Sequence, residues 1–241
     1  MKCKVSLPDN GGEVTINLIR VPSTEDMKLC KMCAFATIGK ETEQVPTSEW
    51  LHSIMEARHS PIRELHFAFE FVGLPSYIAT HFARHIHARP YIQTQRNDRQ
   101  SNYDRRKAPQ DAPVRMIWCM EGEEIQIFAN KRTCMLADPA TRIVAQAICD
   151  LVEYYAPYCK GLLVPMCEYH GGGCREMKPC GRRKKRVESA KRGDWEKTDM
   201  MDEWYAHVYT CSICGNQALG NYNKYCSECG TRMNAAEDEE E

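Results

Sequence analysis

Four cysteines near the end of the chain, Cys211-x2-Cys214 and Cys226-x2-Cys229, carry the most specific chemistry in the sequence. Each CxxC pair suits a tight turn that aims two thiolates at one ion, and Gly215 and Gly230 follow the pairs to permit the bend. The eleven residues between the pairs complete the spacing of a closed, tetrahedral zinc ribbon. So small a segment buries too little apolar surface to fold alone, and bound Zn2+ would supply roughly 10–16 kcal/mol of folding free energy. The alternative is reduced thiols in a tail, or a redox-active pair, which needs only one CxxC. Zinc ribbons contact nucleic acid, contact proteins or simply stabilise a chain end, so the spacing leaves the partner open. The run RRKKR at 182–186 carries the charge to meet phosphates, and equally suits a solvated linker.

A second concentration lies between His59 and Arg96, where five of the 8 histidines fall (His59, His66, His81, His85 and His87) together with Arg84, Arg89 and Arg96. His81 and His85 are four apart, on one face of an expected helix, with Arg84 beside them. Guanidinium forks held there suit phosphate oxygens. A metal pair is the other reading, but no acidic third ligand falls at helical spacing and there is no HExxH. Cys167, His170, Cys174 and Cys180 offer three thiols and an imidazole around Gly171–Gly173, at spacings of no standard zinc knuckle. A thiol cluster without metal therefore stands beside the metal reading. Cys30-x2-Cys33 has no second pair, and buried helix thiols are expected.

The elements that must position these groups read as follows. Lys2–Leu7 and Glu13–Val21 alternate apolar and polar residues around Asn10-Gly11-Gly12, a hairpin pattern. Thr24–Ile38 and Thr47–Arg58 read as helices, the second capped by Thr47 or Ser48. His66–Val72 places Phe67, Phe69 and Phe71 on one strand face, broken by Gly73 and Pro75. Ser76–His87 is helical in period and ends before Pro90, Tyr91–Arg96 extended, and 97–113 a polar loop. Glu121–Leu136 reads as a helix. Asp138-Pro139 caps and starts another, whose apolar stripe runs from Ile143 to Tyr155 until Pro157.

The fold class expected is α+β. A mixed α/β body over 1–181 is followed by a charged linker at 182–203, a zinc ribbon at 204–233 and an acidic tail at 234–241. The 241 residues suffice for one buried core and a small module. Lys+Arg 32 against Asp+Glu 33 gives no global bias toward a polyanionic partner. No apolar run is long enough to span a membrane, and the start lacks the apolar core of a signal peptide, so a cytoplasmic protein is expected. In that setting the 14 cysteines read as metal ligands or buried thiols rather than disulfides.

The body resembles the flavin-dependent thymidylate synthases. Arg84-His85 stands where the family's Arg-His-Arg begins, and Gln93-Thr94-Gln95-Arg96 is similar to the Ser-x-Arg that follows. Ser60-Pro61 keeps register with a Ser/Thr-Pro turn before the Phe67-x-Phe69 strand, and EIQIFANKRTC at 124–134 resembles the helix whose late arginine meets the base. Cys167–Cys180 looks like a C-terminal segment found in part of the family. Ile86, Asn97, Glu121 and Ile127 depart from the pattern, and the stretch 97–120 is short against the family's. The resemblance implies reductive methylation of dUMP to dTMP, with carbon from methylenetetrahydrofolate, hydride from reduced FAD, and NADPH as reductant. It implies that Arg84, His85 and Ser60 hold the flavin and that His81, Gln93, Thr94, Arg96 and Arg132 meet dUMP. Arg132 is the residue expected to act on the uracil, in a homotetramer whose sites are shared between chains. Two rivals remain: the same fold acting on another pyrimidine nucleotide, and a non-catalytic protein whose ribbon binds nucleic acid or protein.

Overall fold

The computed structural model describes residues 2–8, 11–94, 96, 104–169, 173–182, 194–201 and 207–219. They form two compact units, Met1–Arg183 and Lys184–Glu241. Both are built on antiparallel sheets, and the first adds helices, so the class is mixed α+β.

The first unit carries β1 (Lys2–Ser6), β2 (Glu13–Arg20), β3 (His66–Pro75), β4 (Arg89–Ile92) and β5 (Pro113–Glu121) in the sheet order β1-β2-β3-β5-β4. The register sets Ile16 opposite Phe71, Leu18 opposite Phe69, and Phe69 opposite Trp118, so one face is continuously apolar. Val14, Ile16, Phe67, Phe71, Met116 and Trp118 on that face are buried. The opposite face is mixed, with polar groups beside the exposed Val72 and Tyr91. There Asn17 donates to Glu70 at 2.9 Å, and Arg115 Nε donates to Glu70 at 2.8 Å. This one-sided burial is the pattern of an antiparallel sheet covered by helices on one side. A bulge between Phe71 and Leu74 falls at Gly73, whose φ is +77° and where a Cβ would approach the Glu13 carbonyl to 2.9 Å.

The covering helices are α1 (Thr24–Ala36), α2 (Ser48–Glu56), α3 (Ser76–Ala83), α4 (Gly122–Arg132), α5 (Pro139–Tyr155) and α6 (Met166–Tyr169). Their starts follow local chemistry. Ser23 and Asp26 form a reciprocal capping box, Thr47 Oγ1 accepts from the Trp50 amide, and Asp138 accepts from the Thr141 amide. α4 is buried on nearly every side, including the polar residues Glu124, Gln126 and Asn130. It begins without a side-chain cap at Gly122, where a Cβ would lie 2.6 Å from the Ile62 carbonyl of the 3-10 turn Ser60–Glu64. Backbone meets backbone there, so neither side can yield. Gly122→Ala should cost about 1–3 kcal/mol through overpacking, measurable by urea denaturation. Wild-type stability would show that the contact can relax.

Three expectations change. The helix expected over 76–87 stops at Ala83, because Pro90 pairs with Trp118 in β4 and the chain must turn between Arg84 and Ala88 to enter that strand. His85 and Ala88 each close a turn onto Phe82 and His85 carbonyls. β5 was not anticipated, although its Val114, Met116, Trp118 and Met120 alternate inward; the preceding polar stretch hid it. In the second unit, β6 (Trp195–Met201) pairs with β7 (His207–Cys211), which pairs with β8 (Gln217–Leu219), so 195–201 of the expected linker is a strand.

Candidate functional site

α4 enters from β5 and ends at Arg132, and the turn after α3 delivers Arg84–His87 to the same place. Between them opens a cleft of about 500 Å³, bounded by Arg84, His85, His87, Glu124, Lys131 and Arg132 among others. That is within the usual size of a small-molecule pocket. Its wall carries an excess of cationic groups over carboxylates, so an anionic ligand suits it.

The floor is a buried chain of hydrogen bonds. His85 is 7% exposed and Glu124 1%. His85 Nδ1 lies 2.7 Å from Glu124 Oε1, and Arg132 Nε donates to His85 Nε2 at 3.1 Å. Arginine has no acceptor, so Nε2 must offer its lone pair and Nδ1 must hold the proton that Glu124 receives. His85 is therefore neutral and oriented at both nitrogens. A second fork of Arg132, Nη2, donates to the His81 carbonyl at 2.7 Å. Burial lowers the Arg132 pKa from its ordinary value, with the Arg84 cation adding to it. The ring of His85 also packs edge-on against Trp118 and Phe128, which fixes its plane.

His81 belongs to an adjoining chain. Thr141 Oγ1 donates to Asp138 at 2.9 Å, so its oxygen accepts from His81 Nδ1 at 3.0 Å. Burial, then the Arg132 cation, push the His81 pKa down, with Arg84 adding and Asp138 opposing. The unfolded chain, with histidine near pH 6.5, thus takes up this proton first as pH falls. His81 consequently makes stability decrease on acidification below about pH 6.5. The pH–stability profile of His81→Gln should be flatter than wild type over that interval; parallel profiles would remove this role.

Of the residues singled out in the sequence, the structure brings Arg84, His85 and Arg132 onto one wall, with the His81 carbonyl behind them. Ser60 sits elsewhere. It opens the turn packed on the start of α4, whereas Arg132 ends that helix, whose two ends are about 15 Å apart at 1.5 Å rise per residue. Gln93 extends the β4–β5 ladder, its amide donating to the Arg115 carbonyl and its side chain accepting from the Arg115 amide. The Arg96 amide donates to Thr94 Oγ1 at 3.2 Å, and both residues are exposed. Ile86 is 85% exposed, so its place in the motif serves no packing need. Glu124 and Lys131, which also line the cleft, were not singled out, and His87 was named only as one of the clustered histidines. Glu124 was detectable as a carboxylate sharing a helix face with Ile127 and Phe128.

In the second unit Gly215, at φ +73°, donates to the Cys211 carbonyl at 2.8 Å, closing the expected bend after the first CxxC. Cys226 and Cys229 lie outside the described residues, as do His170 and the tail. Among the described residues no three His, Cys, Asp or Glu side chains already stand in an ion-holding group, and no helix is long and apolar enough to cross a membrane. Cys30 is buried, its thiol pushed up to about 12, which suits an inert core thiol. The Cys167 thiol is raised by burial, then by the charges of Glu168, Cys174 and Cys134.

No protein-family model matches the chain, and none of the curated proteins is significantly similar to it in sequence.

Proposed function

We propose that the chain is an enzyme of the flavin-dependent thymidylate synthase type, reductively methylating dUMP to dTMP with methylenetetrahydrofolate and NADPH. One observation carries this reading: Arg84-His85 and Arg132, singled out by separate sequence blocks, border a single basic cleft. Its donors fit phosphate oxygens and the imide edge of a pyrimidine or flavin ring. Bound FAD would supply the hydride chemistry. The chain's own residues supply grip and charge. Arg84, exposed beside the cleft, holds phosphate. Arg132, kept in place by His85 and the His81 carbonyl, stabilises negative charge on the uracil as C5 becomes nucleophilic. His85, neutral and spent at both nitrogens, positions Arg132 and is not an acid. Ser60, Thr94 and Arg96 serve the site of an adjacent copy in a homotetramer. The ribbon completed by Cys226 and Cys229 binds structural Zn2+ and is free to dock nucleic acid or protein.

The purified protein should show a flavin absorbance band, or acquire one with FAD, and should release tritium from C5-labelled dUMP. A colourless protein that FAD cannot reconstitute would sink the reading. Flavin binding without tritium release would move it to another pyrimidine nucleotide.

A further inference from the structure

Four cysteines from two distant stretches meet in one small cleft beside the candidate site. Cys134 follows the end of α4, while Cys167 lies in α6 and Cys174 and Cys180 lie beyond it; all four border the cleft, and none forms a disulfide. We propose that Cys134, Cys167, Cys174 and Cys180 are the ligands of a structural Zn2+ that ties the segment 166–182 to the end of α4.

The donor set argues for a soft divalent ion. Four thiolates are the ligands of closed tetrahedral zinc sites. The cleft encloses about 20 Å³, room for one ion or one water. Four thiolates around Zn2+ leave a net charge of two negatives, and Arg175 borders the same cleft to offset part of it, beside Glu176 and an Arg182 that is paired with Glu168. Cys134 supplies the donor that the stretch Cys167–Cys180 lacks for a complete set without His170. Since no three of these groups are yet in ion-holding geometry, loading must draw the thiols together, as metal binding coupled to ordering does.

The segment also needs such a tie. Its start is fixed, because Tyr169 donates to the Glu56 carbonyl and lies under the Arg58 guanidinium at 3.9 Å. Past Gly173 only Cys174 is buried, and residues 175–182 are exposed. An ion pair, Arg182–Glu168 at 2.7 Å, returns the chain to α6. Glu176 and Cys134 border both this cleft and the basic one, so the ion would hold part of the candidate site's wall.

Zinc content of the full chain by mass spectrometry tests this, with the ribbon disabled by Cys226→Ser/Cys229→Ser. That variant should retain about one zinc per chain, and adding Cys134→Ser should remove it. Cobalt loading of the ribbon variant should give the absorbance of a tetrahedral thiolate site. Cys180→Ser, at an exposed position, should speed zinc loss to a chelator by about tenfold or more while leaving far-UV circular dichroism unchanged. A ribbon variant that purifies without zinc and takes up no cobalt would overturn the proposal, and so would iron with acid-labile sulfide. Because that readout is made on an unaltered body, it decides the matter even if the Cys134 variant fails to fold.

Discussion

Glu124→Ala should destabilise the body by about 3–5 kcal/mol, the cost of stranding a buried imidazole donor and the Arg132 cation behind it. The reason lies in what is left behind. His85 Nδ1–H loses its acceptor, the Arg132 cation loses the carboxylate that balances it through the imidazole, and a cavity opens beside Phe128. Glu124→Gln keeps an oxygen for Nδ1–H and preserves the volume, so it should cost less, about 1–3 kcal/mol. Thermal unfolding followed by far-UV circular dichroism reads the difference, and Ala should lower Tm by about 10 °C. Equal effects of the two substitutions would mean that the hydrogen bond contributes nothing and only charge matters. No effect from either would show that the pair is not buried.

The sequence made α5 and the β1–β2 hairpin readable because their signals are local: an Asp-Pro start, a stop at Pro157, and glycines after alternating strands. α3 was overextended because helical periodicity continues through Ile86, while the constraint that ends the helix is pairing of Arg89–Ile92 with a strand lying beyond a polar stretch. No local pattern carries that. The clustering of the arginine and histidine block was legible, and Arg84, His85 and Arg132 line one cleft. What was not legible is which imidazole turns inward. His81 and His85 look equivalent at a spacing of four, yet only the break after Ala83 sends His85 to Glu124 and leaves His81 with Thr141. Gln93, read from the sequence as a substrate contact, extends the strand ladder with Arg115, a backbone role that no local pattern announces.

Arg132→Ala should lower dUMP affinity by about 100-fold, within the 2–5 kcal/mol typical of truncating one side of a desolvated charged contact. Its side chain is half-buried, held at two points, and kept close to Arg84, so little of the binding gain is lost in ordering it. Arg132→Lys retains the charge but cannot reproduce both forks, and its loss should fall between wild type and Ala. Arg115→Ala is the control. That guanidinium is committed to Glu70 on the sheet face opposite the core, and dUMP affinity should stay within about twofold. Isothermal titration compares the four proteins. If Arg115→Ala proves the more damaging, the nucleotide lies over that sheet face instead of the cleft.

The sheet order has a consequence for how the chain is made. β5 lies between β3 and β4 in space yet follows both in sequence. While residues 76–112 are being synthesised, β3 has β2 on one side and an open edge on the other, with Phe67, Phe69 and Phe71 along that strand. An apolar strand with an unpaired edge is where nascent chains associate wrongly. β4 has no partner at all in the sheet before β5 emerges. The last strand of this sheet to be made is the one that joins the other four, so a chain cut short before Pro113 holds two fragments and lacks the strand that makes them one sheet.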